Sequence, residues 1–190
     1  KYRKDINART DALNSADISI LCLPEEASKE AVSLIEDANA RVIDASIAYR
    51  THRDWVFGFP EYGPGQREKI TKAKRVTNPG CYSCGAIAIL YPLVKSGLIE
   101  KDDPITINAV SGYTGGGNKL IAAFEDKVTP EKGNVTFYHY ALSLEHKHTE
   151  EIRCHSGLNK RPIFVPSVGR FAQGMIVSVP LQLWATWRYA

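Results

Sequence analysis

Apolar residues cluster in short unbroken runs early in the chain and alternate with polar ones later. Residues 18–24 (ISILCLP) form one such run, closed by Pro24, which predicts a strand buried on both faces of a parallel sheet. In the following EEASKEAVSLIEDANA, Ala27, Ala31, Leu34 and Ile35 recur near helical spacing, and acids fill the first turn, where the helix dipole favours them. RVIDAS (41–46) predicts a second short buried strand. Strand, helix, strand is a βαβ unit, which closes right-handed over a parallel sheet.

Residues 47–66 (IAYRTHRDWVFGFPEYGPGQ) lack either period and are rich in Gly, Pro and aromatics, which predicts a long ordered loop of the kind that carries function. A short basic helix (67–73) and a strand (74–77) follow, then a turn at Asn78-Pro79-Gly80 and an apolar helix interrupted or bent at Pro92. From Ile105 the pattern changes to alternation. ITINAVSGY, 135–146 (VTFYHYALSLEH), 162–168 (PIFVPSV) and 175–184 (MIVSVPLQLW) all predict strands, hence a mostly antiparallel second layer. The change of pattern places a boundary near 80–103, and the two domains are taken as 1–80 and 81–190.

The chain has 190 residues with 44% hydrophobic and 24% charged, ordinary values for a soluble globular protein. A net charge of +3 is too small to indicate nucleic acid or an anionic membrane as partner. No run reaches the roughly 18–20 apolar residues that a membrane span requires. Four cysteines, at 22, 81, 84 and 154, do not form a disulfide framework in a chain this long, which favours a reducing cytoplasm. Met175 is the only methionine, and the chain opens without a strand and stops just after an apolar stretch, so a piece of a longer protein is expected.

Cys81 stands after the Asn-Pro-Gly turn and before the apolar helix. A thiol at a helix N-terminus has its thiolate favoured, and the free N–H groups there suit an oxyanion; a buried inert cysteine fits the same features. Cys81 and Cys84 make a C-x-x-C, but neither a thioredoxin-like context nor a second ligand pair accompanies it, so no metal is expected. His146 and His148 lie two apart at the end of a predicted strand, on one face, where an imidazole can meet a thiol; a charged, solvated turn is the other reading. The segment 111–119 (SGYTGGGNK) is a glycine-rich turn between strand and helix, without the G-x-G-x-x-G or Walker A spacing. Arg50 stands in the long loop, either as a two-pronged anion contact or as a surface arginine.

Together these segments resemble the N-acetyl-gamma-glutamyl-phosphate reductase family, in its shorter form. ILCLP (20–24), VIDASIAYR (42–50), VFGFPE (56–61), NPGCY (78–82), SGYTGGG (111–117), HKHTEEI (146–152) and RPIFVPSVGRFAQGM (161–175) occur in the family's order. The resemblance implies an α/β plus α+β architecture: a partial Rossmann-type NADP-binding domain, then a glyceraldehyde-3-phosphate-dehydrogenase-like catalytic and dimerisation domain. It implies Cys81 as nucleophile, His148 or His146 as the base, and Ser111, Gly112, Gly115 and Gly116 in a loop beside the nicotinamide. Leu23, Pro24 and Ser46 would lie at the cofactor edge, and Arg50 and Glu61 near a small acyl-phosphate substrate. The activity implied is NADPH-dependent reduction of an acyl phosphate to an aldehyde through a cysteine thioester, in arginine biosynthesis, by a homo-oligomer. An aspartate-semialdehyde-dehydrogenase-like enzyme and a cysteine hydrolase or acyltransferase are the alternatives. The sequence departs from the family at Ser83-Cys84, where Pro-Thr is usual, and at Glu150, where proline is usual. The glycine-rich phosphate-binding turn that the family carries upstream is absent from this chain.

Overall fold

The computed structural model describes residues 4–37, 39–125 and 135–182, and the chain divides into two compact units, Lys1–Gly80 and Cys81–Ala190.

The first unit opens with α1 (Ile6–Ser15), capped by the Asp5 carboxylate, which accepts the Ala8 N–H at 2.9 Å. Then come β1 (Ile18–Leu21), α2 (Glu25–Ser33), β2 (Arg41–Asp44), β3 (Val56–Phe57), α3 (Gln66–Lys72) and β4 (Arg75–Thr77). The strands form one all-parallel sheet in the order β1-β2-β4-β3. Leu21, Ala31 and Val42 make its core, with Leu13, Val32, Ile35 and Trp55 packed around them.

Among the described residues β1 is the first strand of the sheet order, and its Ile18 and Ile20 are 52% and 66% exposed, so within this chain one of the two expected faces is covered. Only the face bearing Leu21 is covered, because α1 and α2 both lie on that side. The stretch 47–66 is not wholly a loop, since Val56 and Phe57 pair with Val76 and Thr77. That pairing demands glycine next to it. A Cβ on Gly58 would stand 2.7 Å from the Thr77 carbonyl oxygen, which accepts the Gly58 N–H.

The second unit begins with α4 (Cys81–Lys95), which runs through Pro92 without ending. It continues with β5 (Thr106–Gly112), a 3₁₀ turn (Tyr113–Gly116), α5 (Gly117–Glu125), β6 (Phe137–His139), α6 (His148–Ser156), β7 (Ile163–Gly169) and β8 (Met175–Ser178). Tyr82, Ala86 and Leu90 of α4 meet Ile107, Ala109, Ile152 and Phe164 in the core.

The sheet order is β6-β7-β5-β8, and its central pair, β5 with β7, is parallel. The expected mostly antiparallel layer is therefore a mixed sheet with antiparallel edges. The long connection through α5 and α6 supplies the crossover that a parallel pair needs. The strand predicted over 135–146 is only three residues long. Beyond it Ala141 and Leu144 take positive φ, and the Leu144 N–H closes a turn onto the Ala141 carbonyl. β8 stops at Ser178, and residues 183 and 184 of the predicted last strand lie outside the described residues.

Alternation turns Ile107, Ala109 and Phe164 toward α4 and α6, and sends Phe137, Ile163 and Ile176 to the opposite face, where they are 51%, 50% and 65% exposed. Among the described residues, no helix is long and apolar enough to cross a membrane.

Candidate active site

Cys81 is the first residue of α4, a 15-residue helix, and its side chain is exposed and not in a disulfide. The first N–H groups of a helix have no partner within it, so the thiol stands at a positive dipole end. The next residue, Tyr82, turns inward and is 3% exposed. Its hydroxyl hydrogen-bonds Ser111 Oγ at 2.9 Å and the Ser167 carbonyl oxygen at 3.2 Å, tying the start of α4 to the ends of β5 and β7. Tyr140 donates its hydroxyl to that of Tyr82 at 3.5 Å. Burial pushes the Tyr140 hydroxyl above its usual range, and the bond to Tyr82 and the acidic groups of Tyr82 and Cys81 nearby act in the same direction.

The Tyr82 ring meets those of His148 and His146 edge-on, at 5.8 and 6.2 Å between centroids, and that of Phe164 at 5.3 Å. The two imidazoles are 4.7 Å apart. Both are buried, so they are not a solvated turn, and they do not end a strand as expected. His148 opens α6, and His146 lies two residues before it, just past the turn that the Leu144 N–H closes onto Ala141.

The geometry fixes the state of His146. The Nδ1 atom of His146 accepts the His148 backbone N–H at 3.1 Å, satisfying one of the open donors at the start of α6. Burial, helped by the positive charge of Lys147, pushes the His146 pKa down to about 4, so the ring is neutral near pH 7 with its proton on Nε2. Thr149 Oγ1 donates to the His146 carbonyl at 2.6 Å, fastening the same turn.

The glycine-rich segment continues the β5 strand and then coils. Its N–H groups are committed internally: Gly112 donates to the Gly174 carbonyl at 3.0 Å, Tyr113 to Phe171 at 3.0 Å and Thr114 to Ala172 at 3.3 Å. A Cβ on Gly112 would lie 2.5 Å from the Ala172 carbonyl oxygen. Ser111 is buried against Tyr82, and Gly115 approaches the Ser111 side chain. The loop is thus a rigid wall, and its amides at 112–114 are already occupied.

In the first unit, Leu23 and Pro24 follow the carboxyl end of β1, and Pro24 occupies the N-cap position of α2. Ser46 is buried, with its hydroxyl donated to Asp44 at 2.7 Å. Arg50 is also buried and donates Nη2 to the Ala45 carbonyl at 3.0 Å, so it is not a surface arginine. Glu61 is well exposed and pairs with Arg67 at 3.0 Å, a solvent-screened contact. Cys84 lies in the interior of α4, and among the described residues no group of three or more His, Cys, Asp or Glu is placed to hold a metal ion.

Residues 81–188 match the model of the semialdehyde dehydrogenase dimerisation domain, and residues 2–73 match the semialdehyde dehydrogenase NAD-binding domain. The chain belongs to the semialdehyde dehydrogenase family. An N-acetyl-gamma-glutamyl-phosphate reductase of Brucella anthropi is 56% identical over 182 residues, which are 95% of this chain and 58% of that relative. Among solved structures, aspartate semialdehyde dehydrogenase II of Vibrio cholerae superposes with a TM-score of 0.66 at 15% identity, over 92% of this chain and 60% of that one. The Candida albicans aspartate semialdehyde dehydrogenase, solved with NADP, gives 0.53 at 14% identity, over 88% and 51%. The semialdehyde dehydrogenase fold therefore extends over both units.

Sequence reasoning missed Tyr82, Tyr140, Asp44 and Ser28. Tyr82 gave one local signal, an aromatic beside the candidate nucleophile at the buried edge of a helix. Tyr140 and Ser28 had none, because their partners Tyr82 and Asp44 lie far away in sequence, and Asp44 showed only its neighbour Ser46, not Ser28.

Proposed function

We propose that this protein reduces N-acetyl-gamma-glutamyl phosphate to the semialdehyde with NADPH, in arginine biosynthesis, with Cys81 as covalent nucleophile. The observation that carries this reading is the exposed thiol on the first residue of α4, next to a buried tyrosine–imidazole cluster. The name borne by the 56%-identical relative supplies the substrate.

The Cys81 thiolate attacks the acyl carbon. The carbon–oxygen bond to phosphate breaks, phosphate leaves with the electron pair, and a thioester forms. The leading N–H groups of α4 face the oxyanion that develops in this step. When bound, NADPH supplies the hydride that takes the thioester to the aldehyde level. His148 is the proton carrier of the pair. His146, kept neutral and engaged through Nδ1, sets the backbone of His148 and has little capacity to act as base.

The first unit suits a dinucleotide: open parallel sheets take nucleotides outside the carboxyl ends of their strands, and exposed Leu23 followed by the amino end of α2 occupies that edge. Leu23, Pro24 and the backbone near Ser46 would hold the cofactor. Ser111, Gly112, Gly115 and Gly116 form a preset wall for the nicotinamide. Arg50 would bind an anionic group of the substrate, and Glu61 lies in the same loop. A homo-oligomer is favoured by the match to a dimerisation domain and by the apolar outer face of the second unit's sheet. A reducing cytoplasm suits four free cysteines.

The test is phosphate-dependent NADPH formation from N-acetyl-glutamate semialdehyde by the full-length protein, with Cys81→Ser alongside. Activity that vanishes in the Ser variant is expected. No hydride transfer from folded protein, or turnover of aspartate semialdehyde in its place, would overturn the reading.

A further inference from the structure

Asp44, the last residue of β2, is fully buried and takes no part in the chemistry above. A buried carboxylate is costly unless its oxygens are hydrogen-bonded. Here each oxygen has a hydroxyl donor: Oδ1 accepts from Ser28 Oγ in α2 in a short bond, and Oδ2 from Ser46 Oγ at 2.7 Å. Two hydroxyl donors call for two acceptor oxygens, which a carboxylate provides and a side-chain amide does not.

The backbone around Asp44 is fixed as well. Its carbonyl accepts the Asn78 N–H at 2.7 Å, and the Ala45 N–H donates to the Leu21 carbonyl at 2.9 Å. From this anchor the order passes along the chain. Ser46 Oγ, while donating its hydrogen bond to Asp44, also accepts the Ala48 N–H at 3.0 Å, a side-chain-closed turn. The Arg50 N–H reaches the Ile47 carbonyl, and the Arg50 guanidinium returns to the Ala45 carbonyl at 3.0 Å. Tyr49 stacks on Trp55 at 4.0 Å, closing the far side of the same turn.

We propose that Asp44 is a positioning residue: its buried carboxylate fastens the first turns of α2 to the 45–50 turn and so holds Arg50 ready for an anionic substrate, a role that rests on the substrate-binding reading of Arg50. Asp44 thereby joins the two halves of the first unit's functional edge. Ser28 lies one helical turn from Pro24 at the proposed cofactor edge, and Ser46 begins the turn that carries Arg50.

The test uses the full-length enzyme with Asp44→Asn and, as the milder change, Ser28→Ala, which removes the other donor to the carboxylate, each checked for cooperative unfolding. Loss of one hydrogen bond to a charged group should raise KM for the acyl phosphate about ten-fold, with kcat held within about two-fold. Combining either change with Arg50→Ala should raise KM no further than Arg50→Ala alone. Independently of activity, phenylglyoxal labelling of Arg50, read by mass spectrometry, should speed up several-fold in both variants. Unchanged KM and labelling in folded variants, or additive effects with Arg50→Ala, would overturn the proposal. A parent enzyme with no acyl-phosphate reductase activity would sink the functional reading instead, and the labelling rate would then decide the positioning role alone.

Discussion

Replacing Tyr82 by phenylalanine removes one oxygen from the centre of the second unit and leaves the ring. The ring contacts with Phe164, His146 and His148 survive, so no cavity larger than the hydroxyl opens. The bonds to Ser111 Oγ and to the Ser167 carbonyl are lost, along with the longer contact from Tyr140. Each satisfied bond contributes about 1 kcal/mol net, and a buried partner left unpaired adds a desolvation cost of about 1–3 kcal/mol. Ser111 and Ser167 are both buried, so the variant should be about 2–3 kcal/mol less stable. For a chain of this size that corresponds to a fall in Tm of roughly 5–10 °C. Urea unfolding followed by circular dichroism measures the difference from the midpoints at common slope. Tyr140→Phe, which loses only the 3.5 Å contact, serves as the control and should cost less. A Tyr82→Phe loss below about 0.5 kcal/mol, or one equal to the control, would refute the idea that this hydroxyl joins α4 to β5 and β7.

The depressed pKa of His146 sets a direction for stability against pH. The unfolded chain binds a proton near pH 6.5 and the folded one only near pH 4, so this residue's contribution is complete above about 6.5 and is lost as pH falls toward about 4. Urea midpoints between pH 7.5 and 4.5 should fall less steeply in His146→Asn, which keeps an acceptor for the His148 N–H; identical slopes would contradict the assignment. The exposed outer face of the second sheet should mediate self-association of the full-length protein. Ile176→Asp, placing a charge on that face, should shift the sedimentation coefficient toward the monomer, and an unaltered oligomer would locate the interface elsewhere.

The sequence by itself determined the local elements and the order of the chemistry-bearing segments. Acids ahead of an apolar helical period marked α2, Asn-Pro-Gly ahead of an apolar run put Cys81 on the first residue of α4, and alternation marked β5, β7 and β8, because period and turn chemistry act over a few residues. The ordered blocks from 20 to 175 also carried the family. Only the tertiary structure decided the rest. The runs at 18–24 and 41–46 read alike as buried strands, and only the fold shows that they pair in parallel with each other and that β4, from 75–77, adds on the far side of β2. The stretch 135–146 has strand propensity throughout, but left-handed Ala141 and Leu144 turn it so that His146 and His148 enter the Tyr82 cluster. Asp44 reads as one more polar residue at a strand end until α2 folds over the sheet and brings Ser28 to its carboxylate. In each case the deciding partner lies far along the chain. Pairing, burial and the states of titratable groups depend on such partners, and local pattern holds no record of them.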